Sequence, residues 1–224
     1  MILNLPCLMR RLAAVALLAA LTACATKQVT PYDYTALKQS KPASLLLLPP
    51  VNDTPDVGAT YSVLAQMTLP LAESGYYVLP VSLVDETLRQ NGMVNAPEIH
   101  AIDPAKLREI FGADAAVYVT VKRYGSVYKV IASETAVAVE ARVVDLRSGK
   151  ELWKGSAVAS SAEQSNNSQG GIIGLLVKAV IEQVVNNLSE RSHPMAGIAS
   201  QRLLGAGRPN GLLYGPRSPL YGSN

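Results

Sequence analysis

The spacing of apolar positions along the chain changes several times, and each spacing predicts a different element. Leu12 to Leu21 is an unbroken apolar run behind Arg10 and Arg11. Residues 24–42 are mostly polar and without period, which reads as a tether. Ser44-Leu45-Leu46-Leu47-Leu48 is a continuous apolar run closed by Pro49-Pro50, the pattern of a strand buried on both faces. Asn52-Asp53-Thr54-Pro55-Asp56 follows as a loop of turn formers, with Asp56 placed to cap the next helix. Tyr61, Leu64, Met67 and Leu71 then recur at three or four residues and predict a helix from about Val57 to Ser74. Pro70 should kink or split it, and Gly75 suits its C′ position. Tyr76 to Val81 reads as a second strand, and Ser82 as the cap of a short helix over Leu83 to Gln90. A loop runs through Pro97, and Asp103-Pro104 opens a helix that Gly112 ends.

Beyond Gly112 the period changes from helical to alternating. Ala115 to Tyr124, Val127 to Ile131 and Ala136 to Val144 read as strands, with Gly125-Ser126 as a turn. Asp145-Leu146-Arg147-Ser148-Gly149 reads as a hairpin turn into a strand from Glu151 toward Ser160. Ile172 to Leu188 is amphipathic and expected to cover the sheet, its polar face being too weakly basic for a membrane-surface helix. From Ser192 the chain is rich in Gly and Pro and cannot build a core of its own. It is either a disordered partner ligand or a segment wrapped on its own domain. The fold class is therefore α/β (α+β), a mixed sheet with an antiparallel meander, flanked by helices. Residues 43–191 form the single domain and 192–224 the tail.

The amino-terminal run is too short to span a bilayer, since crossing takes about 20 apolar residues. A positive pair, a short apolar core and a small-residue exit make residues 1–23 a cleaved signal peptide. Its exit, Leu21-Thr22-Ala23-Cys24, resembles the bacterial lipobox. That resemblance implies a diacylglyceryl thioether on Cys24, cleavage before it and acylation of the new amino terminus. Ala25, where Asp would favour inner-membrane retention, points to the outer membrane. Removing Arg10 and Arg11 lowers the net charge from +3 to about +1, so no nucleic-acid partner is expected. Cys7 leaves with the signal, so the mature chain has no disulfide to rely on.

Catalytic and metal signatures are sparse. His100 and His193 are the only histidines, and neither has a second ligand at metal spacing. No nucleophile elbow or phosphate loop is present, and Gly170-Gly171-Ile172-Ile173-Gly174 lacks the Lys and hydroxyl of one. Asp53 and Asp56 sit three apart in a loop, where turn and capping roles outweigh acid–base chemistry. No catalytic residue, no metal and no cofactor beyond the covalent lipid on Cys24 are expected.

Asn52 to Val57, Pro70 to Val81, Asn91-Gly92-Met93 and Leu213 to Tyr221 resemble a family of Gram-negative lipoproteins of undefined function that includes a meningococcal surface-antigen candidate. The resemblance implies an outer-membrane lipoprotein, in a complex with a protein similar to the curli secretion-channel lipoprotein. Gly112-Ala-Asp-Ala-Ala-Val117 and Asp145 to Trp153 resemble the amino-terminal domain of the Tol-system periplasmic protein, which implies a protein-binding module. Expected is a lipid-anchored adaptor on the periplasmic face, binding partners through Asn52, Asp53, Thr54, Asp56, Tyr214, Arg217 and Tyr221. The alternatives are a surface-exposed structural lipoprotein or antigen, a peptidoglycan-synthase activator and, less favoured, a small-molecule binder or enzyme. A homodimer would use an uncovered face or edge of the sheet.

Overall fold

The computed structural model describes residues 30–128, 133–164 and 192–223. Residues 1–23, expected to be a signal, Cys24 and the stretch 172–188, expected to be a covering helix, lie outside them. The body beginning at Asp33 opens with α1 (Thr35–Ser40), then β1 (Ser44–Leu47), β2 (Val51–Asn52), α2 (Ala59–Glu73) and β3 (Tyr77–Val78). Three helices follow: α3 (Val81–Gln90), α4 (Ala96–His100) and α5 (Pro104–Phe111). The meander is β4 (Ala115–Tyr128), β5 (Ser133–Asp145) and β6 (Glu151–Ser160), and α6 (Ser192–Leu204) comes last. The mixed α/β class is as expected.

The sheet order is β3-β1-β4-β5-β6, with β1 parallel to both neighbours and β4-β5-β6 antiparallel. β2 also pairs parallel with β4, beyond the end of β1. Thus β1 and β2 form one line along β4, interrupted where Pro49 and Pro50 have no N–H to give. Leu45 to Leu48 are all buried, as a strand covered on both sides requires.

Asp114 sets where β1 and β4 start together. Its carboxylate accepts from the Ala43 and Ser44 amides at 3.0 and 3.1 Å and from Ser44 Oγ at 3.0 Å. Asp145 builds the hairpin turn, accepting from the Arg147 and Ser148 amides at 2.8 and 2.9 Å and from the hydroxyls of Ser148 and Ser40. Burial raises its pKa, but these donors outweigh burial and bring it down to about 2.

Several sequence expectations are corrected. Gly125-Ser126 is not a turn: β4 runs on through Gly125, which pairs with Ala136 while holding φ at +118°. The second strand shrinks to Tyr77–Val78, because the Tyr76 amide turns back to Leu71 O and Pro80 brings in α3. That helix starts at Val81, so Ser82 is inside it and does not cap it. Pro97 lies in the first turn of α4 rather than in a loop. Pro70 neither splits nor ends α2, which is continuous to Glu73. The cap of α5 is as predicted, with Asp103 accepting from Ala105 N at 2.7 Å and Gly112 left-handed at its end.

The boundary at Ser192 moves as well. Ser192–Leu204 is a helix, burying Met195, Ala196, Ala199, Leu203 and Leu204. It packs against α2, β5 and β6. Likewise α1, expected in the tether, buries Leu37 and packs on β6.

Candidate functional site

The loop after β2 is held by its own side chains. Asn52 Nδ2 donates to Asp56 O at 2.7 Å, and Asn52 Oδ1 accepts from the Thr54 amide and hydroxyl. Asp56 Oδ1 accepts from the Gly58 amide at 2.9 Å, just ahead of α2. Asp53 instead meets Lys122 Nζ at 2.8 Å, and the same amine lies 3.9 Å from Glu140. This contact holds the Lys122 pKa up, first through its hydrogen bond to Asp53. The β4–β5 register slips between Val121 and Arg123, so Lys122 is the bulged residue. The bulge carries Lys122 to the loop and turns Tyr124 onto α2.

The tail residues are brought to a different place. The chain after α6 crosses the end of α2, with Gly215 N on Ser74 O at 2.8 Å and Arg217 N on Gly75 O at 3.0 Å. The backbones are close enough that a Cβ on Gly75 would lie 2.4 Å from Ser218 N, and one on Gly215 2.5 Å from Gly75 O. Two stretches more than a hundred residues apart, Ser74-Gly75-Tyr76 and Leu213 to Ser218, thus form one junction. Tyr76 Oη donates to Leu213 O at 2.8 Å, and burial pushes its pKa up. Arg217 lies 5.0 Å from the centre of the Tyr77 ring. Tyr214 and Tyr221 line a cavity of about 320 Å³ with Leu37, Lys38, Lys41 and Tyr76. The predicted partner residues therefore divide between two sites.

Sequence reasoning missed a groove of about 430 Å³ over the polar side of the meander. His100, Tyr118, Thr120, Glu140, Arg142, Lys154 and Ser156 line it. The Arg142 guanidinium stacks over Tyr118 at 4.2 Å, and His100 meets the same ring edge-on at 5.2 Å. His100 Nε2 bonds Pro49 O at 3.0 Å. Burial lowers the His100 pKa, against that hydrogen bond and with help from Arg142. The signal was the polar row Thr120, Glu140, Arg142, Lys154, Ser156. Its members fall on one face only once the hairpin registers are known.

A serine–histidine contact also appears only in three dimensions. Ser62 Oγ lies 2.8 Å from His193 Nδ1 and accepts from Tyr124 Oη at 2.7 Å. Gln66 Nε2 lies 2.6 Å from His193 Nε2. A neutral amide stands at the far ring nitrogen, where a triad would place an orienting carboxylate. The contact clamps the first turn of α6 to α2.

The profile of the family described as "Putative lipoprotein GNA1162-like" matches residues 32–217. The chain belongs to this lipoprotein family. The match opens beside Asp33 and closes at Arg217, so it includes the crossing over Gly75. The curated "Putative lipoprotein NMB1124/NMB1162" of Neisseria meningitidis serogroup B is 50% identical over 198 residues, 88% of this chain and 91% of that one. The crystal structure of lipoprotein GNA1162 from Neisseria meningitidis is 51% identical and overlays with a TM-score of 0.53, covering 65% of this chain and all of that one. The family is named for a lipoprotein and not for an activity. Among the described residues no helix is long and apolar enough to cross a membrane.

Proposed function

We propose that this family member is an outer-membrane lipoprotein, acylated at Cys24, that serves as a non-enzymatic adaptor in a cell-envelope assembly or secretion complex. One observation carries the reading: the groove beside α4, where Arg142 lies on Tyr118 and Thr120, Glu140, Lys154 and Ser156 form a polar floor. Arg is enriched in the cores of protein interfaces, and the buried Tyr118 ring holds the exposed Arg142 guanidinium in place, so its donors are presented at small entropic cost. The loop at Asn52, Asp53, Thr54 and Asp56 joins the groove's rim through Asp53, Lys122 and Glu140. Tyr214, Arg217 and Tyr221 belong to a separate contact. The Tol-like motifs at Asp114 and Asp145 enter as an analogy of fold, since both carboxylates are spent on strand starts and turns.

The partner proposed is a curli-channel-like lipoprotein, with the domain on the periplasmic face. A photo-reactive residue at Thr120 or Ser156, activated in intact cells and followed by mass spectrometry, tests this. Adducts with a channel-like lipoprotein are expected. Adducts with a murein synthase would move the reading to peptidoglycan-synthase activation. Only self-adducts at normal expression would replace it with a structural homo-oligomer, and protease digestion on whole cells would replace the periplasmic face with surface display.

A further inference from the structure

We infer that the face made by α1 and the carboxy-terminal crossing rests on the phospholipid leaflet, with headgroup phosphate held between Lys38 and Lys41. This rests on the acylation of Cys24 proposed above. Cys24 precedes Asp33 by nine residues, so even a fully extended tether reaches only about 30 Å. Whatever surface the body presents near α1 is therefore kept at high effective concentration beside the headgroups.

That surface has the matching chemistry. Tyr34 Oη donates to Gly211 O at 2.5 Å and ties the start of α1 to the crossing. Lys38 and Lys41 line the cleft between them with the rings of Tyr76, Tyr214 and Tyr221. Among the described residues neither lysine is ion-paired with a carboxylate. Lys41 takes the left-handed conformation at φ +48°, closing α1 where a Gly is the usual choice. At the edge Leu220 and Tyr221 stay 50% and 46% exposed. Unpaired amines seek phosphate oxygens, while tyrosine rings and a leucine suit the boundary between headgroups and acyl chains. The polar groove at Arg142 lacks this pairing of cation with exposed apolar side chains.

The test is lysine acylation with mass-spectrometric readout on the full acylated protein. It compares detergent with vesicles of phosphatidylethanolamine and phosphatidylglycerol. Lys38 and Lys41 should be modified about threefold less in vesicles, with Lys106 and Lys154 unchanged. Equal labelling on protein that floats with the vesicles overturns this inference and leaves the anchor intact. Protein that does not float overturns both. Protection of all four lysines overturns the specific face. Protection in detergent by millimolar inorganic phosphate would mean a site for a free anion and overturns the leaflet contact. The double variant Lys38→Gln with Lys41→Gln should float as before, with hydrogen exchange over residues 34–42 raised to its detergent level. Unchanged protection there overturns the role of the lysines.

Discussion

The two faces of the meander are made from the same three strands and have opposite fates. On one, Val117, Val119, Val121, Val139, Val143 and Trp153 are all nearly inaccessible beneath α2 and α6. Gly155 lets the packing close there: a Cβ would stand 2.5 Å from the Trp153 ring and 3.4 Å from Leu203. On the other, α3, α4 and α5 cover Leu46, Leu48, Ala116, Tyr118 and Val144 and then stop. The rows beyond Tyr118 carry Thr120, Glu140, Arg142, Lys154 and Ser156 and face the groove. Alternation along a strand makes both rows from one stretch of chain, so apolar cover on one side and an open polar floor on the other need no extra length. The lesson is that the same three strands can be sealed on one face and leave a polar floor uncovered on the other.

The sharpest way to break this contrast is Trp153→Ala. It empties the covered face and should cost about 3–5 kcal/mol in chemical denaturation. A loss below about 1 kcal/mol would mean that α6 does not seal that face. Next comes Gly75→Val, which forces a side chain into a φ of +90° and against Ser218. It should cost about 1–3 kcal/mol and expose the bond after Arg217 to trypsin while the sheet stays folded. A third check is acid. The Asp145 carboxyl has its pKa near 2 in the folded chain, against an ordinary value of 3.8. Its contribution, on the order of 1–2 kcal/mol after solvent screening, is present above pH 3.8 and is lost as pH falls toward 2. Asp145→Asn should flatten that part of the pH–stability profile. Arg142→Ala on the open face should cost no more than about 1 kcal/mol and yet remove adducts formed from Thr120 or Ser156. Smallest is Asp53→Ala, which breaks an exposed ion pair and should change stability by less than about 0.5 kcal/mol. A changed adduct pattern in that variant would extend the docking surface to the loop.

Much of the layout was legible because it follows from local chemistry. Leu45 to Leu48 carried the burial of β1, Asp103-Pro104 the start of α5, and Asp145 to Gly149 the hairpin turn. The misreadings share a cause. Gly125-Ser126 has turn composition, yet β5 supplies a long ladder that carries the strand through it. The helix over Ser192–Leu204 has a usable spacing in Met195, Ala196, Ala199 and Leu203, but Gly197 and small residues hide it until α2 and the sheet give it something to cover. The turn role of Asn52 and Asp56 holds, and only the cap differs: Asp56 bonds the Gly58 amide ahead of α2, which starts at Ala59.

Local sequence determined β1, the cap of α5, the hairpin turn after β5 and the family motifs, because turn chemistry and apolar periodicity act within a few residues. The resemblance of Leu21 to Cys24 to a lipobox, which motivates the proposed anchor, is also local. Three relations were settled only by the tertiary structure. The bulge at Lys122 decides which side chains of β4 reach α2, the hairpin registers gather Tyr118, Arg142 and Lys154 into one groove, and Gly75 meets Gly215. Each depends on a pairing between distant stretches, and the free energy that selects such a pairing comes from the area both partners bury together. Neither stretch carries that information alone.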